Sequence, residues 1–470
     1  MLRTLHGVEK EEERKGPEHR SEEGAATMIS PPWPHQLAAY AFAADPSRRG
    51  VLLNMGMRTG KSRVVVDLVS RGWRRVLIFC PKSVVPVWEE QFEKWGNTNV
   101  LTLDGKETWA TKTAWAHHME QYAIRHLVFV ANYAALLSPD FMKFARSHFW
   151  DCIVMDEIHH LKSAGGRMSR AAASLAPYAA KRIGLSGTPL AHSPLDIYAQ
   201  YRFLDSSIYG TSNARFTQRF AVRGGYMGHE VIGYQNQEEF QRKLGSIMFS
   251  YAAPPSSDPP LHNEVPVILG EKARKVYDKL EKDFVAEVEG GTVTAGNALV
   301  KLLRLQQLTG GTLTLDGGDI DEIDDAKGEA LGEILSGLPE EEPVVVFARF
   351  RADLDRIDGA CFAMKRPCWE LSGKRSEVNT WKKHGGVLAV QMQAGSEGID
   401  LSNAAYVVYY SHGFSLAEYL QSEARVMGPN QKRHVVYDHL IVRDSVDVKV
   451  RKALRERRDV VEAIMEGIRK

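Results

Sequence analysis

VLLNMGMRTGKSRVVVDLVSRG, residues 51–72, decides the fold. The opening VLLNM is a short apolar run without alternation, the pattern of a strand buried on both faces. Glycines at 56 and 60 interrupt it, and SRVVVDLVSRG continues as a helix. Strand, glycine loop and helix follow in the order of a phosphate-binding loop, because a helix N-terminus presents unpaired N–H groups and a positive dipole end to an anion. Gly56, Thr59 and Gly60 then belong to the loop, Gly60 lets the backbone approach the phosphates, Lys61 reaches the β and γ phosphates, and Ser62 holds magnesium. ATP and Mg2+ are the ligands this arrangement implies.

A loop of this kind needs an acidic partner at the end of a neighbouring strand, where a carboxylate can meet the metal. CIVMDEIHH, residues 152–160, supplies it. Asp156 is placed to orient Mg2+ and Glu157 to polarise the water that attacks the γ phosphate. His160 with Asp156 has the spacing of a metal pair, but a zinc site needs further ligands and the sequence offers none at suitable spacing.

Outward from these motifs, apolar runs at 76–80, 126–130, 152–156 and 182–186 alternate with helical stretches. A second alternating set has strands at 343–349, 386–391, 406–410 and 434–440. The fold class is therefore α/β, with two doubly wound parallel sheets. The boundaries read as a flexible charged tail (1–27), a first lobe (28–190), a helical connector and hinge (191–325) and a second lobe (326–470). The Pro-rich PPSSDPP lies at 254–260, and the Gly-Gly pairs at 310–311 and 317–318 bracket a hairpin.

The composition fits this reading. The chain has 470 residues, 44% hydrophobic and 25% charged, which excludes a mini-protein and a wholly disordered polymer. Sixty Lys and Arg against 59 Asp and Glu leave a net charge of +1, so any nucleic-acid site is a local patch. Four scattered cysteines without CxxC pairs argue for reduced core residues rather than a disulfide framework or a zinc ribbon. With no apolar run of about 18 residues and no signal-peptide pattern, a cytoplasmic protein with no membrane partner is expected.

PHQ (34–36), MGMRTGKS (55–62), FCPKSVVPVWEEQFEKW (79–95), DEIHHLKS (156–163), LSGTPL (185–190), VVVFARFRADLD (344–355), QAGSEGIDL (393–401) and QSEARVMGPNQ (421–431) stand in one order along the chain. Together they resemble the Swi/Snf-type, chromatin-remodeller-like translocases of helicase superfamily two, over roughly residues 30–455. The compact length is similar to bacterial or phage members, and a bacterial or phage-infected cytoplasm follows. The resemblance implies two RecA-like lobes with ATP between them. It also implies that Gln36 contacts adenine, that Ser186 and Thr188 couple hydrolysis to movement, and that Gly395, Gly398 and Asp400 meet DNA and ribose. Gln421 and Arg425 would face the γ phosphate from the second lobe. Lys82, Ser83, Asn132 and Ser396 are the DNA-contact candidates by position, tracking phosphates without reading bases.

Three positions depart from the family pattern. Arg58 stands where glycine is usual, Phe414 where tryptophan is common, and Gly428 where a second arginine is expected, with Lys432 or Arg433 as nearby substitutes. The expected activity is that of an ATP hydrolase: a monomeric, ATP-dependent translocase on duplex DNA that remodels DNA or DNA-bound proteins. The alternative is a nucleotide-gated DNA-binding scaffold whose hydrolysis is weak or lost, because an arginine finger contributes about 10³ to 10⁵ in phosphoryl-transfer rate. An RNA helicase is a third reading, disfavoured by the connector.

Overall fold

The computed structural model describes residues 31–469 except 57, 97–98, 104–106, 121–126, 191–192, 225–229, 253–258, 290–294, 315–319, 396–398 and 429–430. Its first sheet holds β1 (Gly50–Met55), β2 (Arg75–Cys80), β3 (Asn99–Thr102), β4 (Leu127–Asn132), β5 (Trp150–Asp156) and β6 (Ala179–Ser186). A small antiparallel hairpin, β7 (Ala221–Gly224) with β8 (Glu230–Tyr234), stands apart. β9 (Met248–Tyr251) closes the first sheet, whose order is β3-β4-β2-β5-β6-β1-β9 with every pairing parallel.

The second sheet contains β10 (Leu261–Val267), while β11 (Thr312–Thr314) and β12 (Ile320–Glu322) form the expected hairpin. After β13 (Val344–Ala348), β14 (Cys368–Leu371), β15 (Val387–Gln391), β16 (Tyr406–Tyr409) and β17 (Val436–Val442), the order is β10-β17-β16-β13-β15-β14, again all parallel. The central strands are apolar along their length because helices cover both faces: Val51 to Leu53, Leu77 to Phe79 and Val344 to Phe347 have no exposed surface.

The span 191–325, read from sequence as a connector, does not stand alone. Its first part gives β9 to the first sheet, where Leu52 to Met55 align with Met248 to Tyr251. Its second part gives β10 to the second sheet, paired with β17. Edge strands half-covered by helices carry mixed polar residues, and that composition hid both of them. The terminal helix Val446–Arg469 lies across both lobes: Val450 and Leu454 join the second-lobe core, while Ile464 joins the first-lobe core, and the helix packs on Gln237–Gly245.

The lobe cores hold three of the cysteines (Cys80, Cys152 and Cys361) buried as free thiols, with Cys368 half-buried. No helix among the described residues is long and apolar enough to cross a membrane.

Candidate active site

The strands of the first sheet are parallel, so the phosphate loop after β1, the acidic pair ending β5 and Ser186 ending β6 share one carboxyl edge, where open α/β sheets bind ligands. The loop turns through left-handed backbone at Arg58 (φ 60°) and Gly60 (φ 81°), and the helix Lys61–Ser70 starts at once. Glycine adopts this conformation freely, whereas a residue with a β-carbon pays roughly 1–2 kcal/mol for it. Thr59 is buried and its hydroxyl donates to the Gly56 carbonyl at 2.6 Å. Lys61 Nζ donates to the Met55 carbonyl at 3.0 Å, holding the ammonium over the loop, and Ser62 follows in the first helical turn.

Gln36 is buried and bonds to the loop itself. Its Oε1 accepts from the Trp33 amide at 2.9 Å and its Nε2 donates to the Thr59 carbonyl at 3.1 Å. His35 reaches the same carbonyl at 2.8 Å and stacks on Tyr251 of β9, with ring centroids 3.9 Å apart. The helix Pro34–Ala44, which carries both residues, thereby braces the loop.

Asp156 is buried, with Oδ2 accepting from Trp88 Nε1 at 3.0 Å and Oδ1 from the Glu157 amide at 3.0 Å. Burial first, and the Glu157 charge second, push its carboxyl well above the ordinary carboxylate value despite Lys61 and these donors. Desolvation opposes the charge of Glu157 as well, but the His159 imidazole, Lys61 and Arg425 outweigh it and hold Glu157 below the ordinary value. Glu157 also has positive φ (51°), a strained non-glycine backbone that turns its side chain out of the strand line. A buried carboxylate and a hydroxyl in the first turn of a helix are hard-oxygen donors of the kind Mg2+ takes, so the chemistry of Asp156 and Ser62 suits the ion. Among the described residues no group of three or more His, Cys, Asp or Glu forms another metal centre.

His159 is the hub that motif reading passed over. Its Nδ1 lies 3.2 Å from Ser186 Oγ and 3.2 Å from Glu157 Oε2, and its Nε2 lies 3.4 Å from Gln421 Nε2 of the second lobe. Ser186 Oγ in turn accepts from the Thr188 amide at 3.0 Å, while Thr188 Oγ1 has no hydrogen-bond partner among the described residues. Trp88 was equally missed. It is 1% exposed on the helix Val85–Trp95, and its sequence signal was the tryptophan closing CPKSVVPVW.

The second lobe meets this edge with the helix Leu416–Val426, capped by Ser415 Oγ accepting from the Glu418 amide. Gln421 and Arg425, four residues apart, share a face of it, and Arg425 lies close enough to stabilise the Glu157 charge. Asp400 accepts a bond from Arg58 at 2.7 Å across the lobe boundary. Burial opposes the Asp400 charge, but the Ser402 amide and hydroxyl and Arg58 keep its carboxyl below the usual value.

Ser396 and Gly398 fall outside the described residues, and Gly395 ends the short helix Met392–Gly395. Lys82 and Ser83 are exposed just after β2, and Asn132 ends β4 opposite Cys80. Asn132 Oδ1 accepts from the Ala134 amide at 2.9 Å, capping the turn Tyr133–Leu137. Phe414 packs under the Arg349 guanidinium, 4.9 Å from ring centroid to Cζ. Arg433 cannot stand in for an arginine at 428: it pairs with Glu342 at 2.7 Å and the Asn403 carbonyl at 2.9 Å. Glu342 precedes β13, so this pair sits on the amino edge of the second sheet, opposite the strand ends that lead to the site.

The profile of the SNF2-related domain matches residues 3–254, more than half of the chain. Protein p41 of Acyrthosiphon pisum secondary endosymbiont phage 1 is 25% identical over 473 residues, covering 93% of this chain and 99% of that protein. The ISWI chromatin-remodeling complex ATPase ISW2 of Saccharomyces cerevisiae is 24% identical over 410 residues, covering 80% of this chain but only 35% of the yeast protein. A Sulfolobus solfataricus SWI2/SNF2 ATPase core in complex with dsDNA is 18% identical, with a TM-score of 0.43 and 93% of each chain covered.

Proposed function

Because the chain belongs to the SNF2-related family, we propose that it is an ATP-driven translocase that moves along duplex DNA and remodels DNA or the proteins bound to it. The observation that carries this reading is the convergence of both lobes on one acidic site. Lys61, Asp156 and Glu157 come from the first lobe, Gln421 and Arg425 from the second, and His159 touches Glu157, Ser186 and Gln421 together. Magnesium bound to ATP would supply charge neutralisation between the phosphates, with Asp156 and Ser62 as its protein ligands.

The side chains do the rest. Glu157 is ionised at neutral pH and accepts the proton of an attacking water; Arg425 places positive charge where the γ phosphate gathers negative charge. Because His159 bonds to Ser186 on one side and reaches Gln421 on the other, a change at the phosphate is felt in both lobes. That is the coupling a motor needs, and Ser186 and Thr188 are its first-lobe relay. Lys82, Ser83 and Asn132, which follow or end strands on the same sheet edge, are the proposed contacts to the DNA backbone, with Gly395 of the second lobe; Ser396, outside the described residues, is proposed from its sequence position alone. The match to a phage protein over 99% of its length supports action in a bacterial or phage-infected cytoplasm, and we take the working unit to be the monomer.

The test is steady-state ATP hydrolysis without nucleic acid and with single-stranded DNA, duplex DNA or RNA, at low salt because phosphate contacts weaken as salt rises. Duplex DNA is expected to stimulate turnover, and Lys61→Ala to abolish it. Turnover unchanged in Lys61→Ala would remove the site assignment. Background turnover under every condition, with nucleotide bound, would favour the gated scaffold instead.

A further inference from the structure

Arg58 and Gly428 stand 370 positions apart in the chain and touch in the structure. Arg58 holds left-handed backbone, φ 60°, where glycine would sit without strain, so its side chain is the reason to look for a role. The guanidinium leaves the phosphate loop and crosses to the second lobe. There Nη2 donates to Asp400 Oδ1 at 2.7 Å and to the Arg425 carbonyl at 2.5 Å, with the Arg58 side chain only 18% exposed. A β-carbon built on Gly428 would fall 2.7 Å from Arg58 Cζ, inside its van der Waals envelope.

The Gly428 backbone has little slack to move aside. Its amide donates to the Val426 carbonyl at 3.0 Å and its carbonyl accepts from the Gln431 amide at 2.9 Å, while Gln431 Nε2 is fixed to the Ser402 and Ala404 carbonyls. A side chain at 428 would have to displace the Arg58 guanidinium from this place.

We propose that Arg58 and Gly428 are a matched pair: the phosphate loop itself supplies the guanidinium that joins the lobes, and Gly428 is the space that admits it. The inference deepens the nucleotide-site reading above and rests on it for its effect on turnover. Arg58 is a positioning residue. It acts through Asp400 and through the end of the helix that carries Gln421 and Arg425, setting Arg425 opposite Glu157. A planar fork with several donors can hold a carboxylate and a carbonyl at once, which a lysine cannot reproduce.

Four proteins test it: the unchanged chain, Arg58→Gly, Gly428→Arg, and both substitutions together. Arg58→Gly relieves the backbone strain, so the fold should survive it. Its kcat with duplex DNA should fall about tenfold or more while KM for ATP moves less than about threefold, since the step lost is closure rather than binding. Gly428→Arg alone should be at least as impaired, because two guanidinium groups compete for one place. The double variant, with one arginine again at that place, should recover to within about threefold of the unchanged chain. Full kcat in Arg58→Gly, or a double variant no better than Gly428→Arg, would overturn the pairing. If Gly428→Arg does not fold, the kcat of Arg58→Gly and the distance measurement below decide the question.

A second readout is independent of hydrolysis. Dyes on cysteines introduced at Phe149 and Phe362, 62% and 84% exposed on the two lobes, report the inter-lobe distance by energy transfer without nucleotide. Arg58→Gly and Asp400→Asn should broaden that distribution; an unchanged one overturns the proposal. Should the unchanged chain hydrolyse no ATP, the motor reading fails, and the distance measurement still decides whether Arg58 joins the lobes.

Discussion

At the residue scale, the site is held by donors whose loss should be felt disproportionately. The indole N–H of Trp88 is one of two donors to the buried Asp156 carboxylate. Trp88→Phe preserves an aromatic packing group but leaves that oxygen without its partner, so stability should fall by about 1–3 kcal/mol. Urea unfolding measures the loss, and an unchanged midpoint would show that the bond contributes nothing. Lys61, Asp156 and Glu157 could be singled out in sequence as candidates because phosphate chemistry demands fixed residue types at fixed spacing after a strand, and the structure brings the three together. His159 and Trp88 were not, since their roles come from what they reach: Ser186 and Gln421 for one, Asp156 for the other. Nothing in a lone histidine or tryptophan announces its partner.

At the scale of elements, β10, β17 and β16 lie side by side and stack rings across their faces. His439 of β17 lies parallel to Tyr409 of β16 with centroids 4.9 Å apart, and its Nδ1 sits 2.9 Å from His412 Nε2. His262 of β10 completes the row, 3.2 Å from His439 Nε2, with Arg451 beside them. Burial first holds His412 and His439 well below the ordinary imidazole value, seconded by the Arg451 and Lys327 charges for His412 and by His412 and Arg451 for His439. Both therefore stay neutral in the folded chain while the unfolded chain takes up protons below about pH 6.5. The unfolded state then binds more protons, so stability rises with pH through this range and is lost as pH falls below 6.5, by up to about 1.4 kcal/mol per pH unit for each histidine. Urea midpoints at pH 7 and pH 5 should differ accordingly, and the difference should shrink in His439→Gln. Equal midpoints in the unchanged chain would contradict the assignment. The strands of this row were legible as apolar runs, except β10, whose LHNEVPV alternates polar groups because it is an edge.

At the scale of the whole molecule, the terminal helix is a tie between lobes. Arg451 and Arg455 bond Glu264, Arg458 bonds Glu423 and Arg457 the Phe414 carbonyl, so its basic run is engaged with the second lobe. Ile464, two turns further on, is buried in the first lobe. Ile464→Asp places a charge in that core. Hydrogen exchange should then quicken in Gln237–Gly245 and in the last turns of the helix, leaving 446–455 protected; uniform protection would mean that the helix does not bridge. Sequence by itself determined the two parallel-sheet lobes, and it marked the candidate loop at 56–62 and the acidic pair at 156–157, because buried strands need continuous apolar runs and phosphate chemistry needs particular side chains at short spacing. Only the tertiary structure decided that the presumed connector is divided between the sheets, that His159 links the lobes, and that Arg58 lies in the space left by Gly428. Those facts depend on distances between residues remote in the chain, and such distances are set by packing rather than by any local pattern.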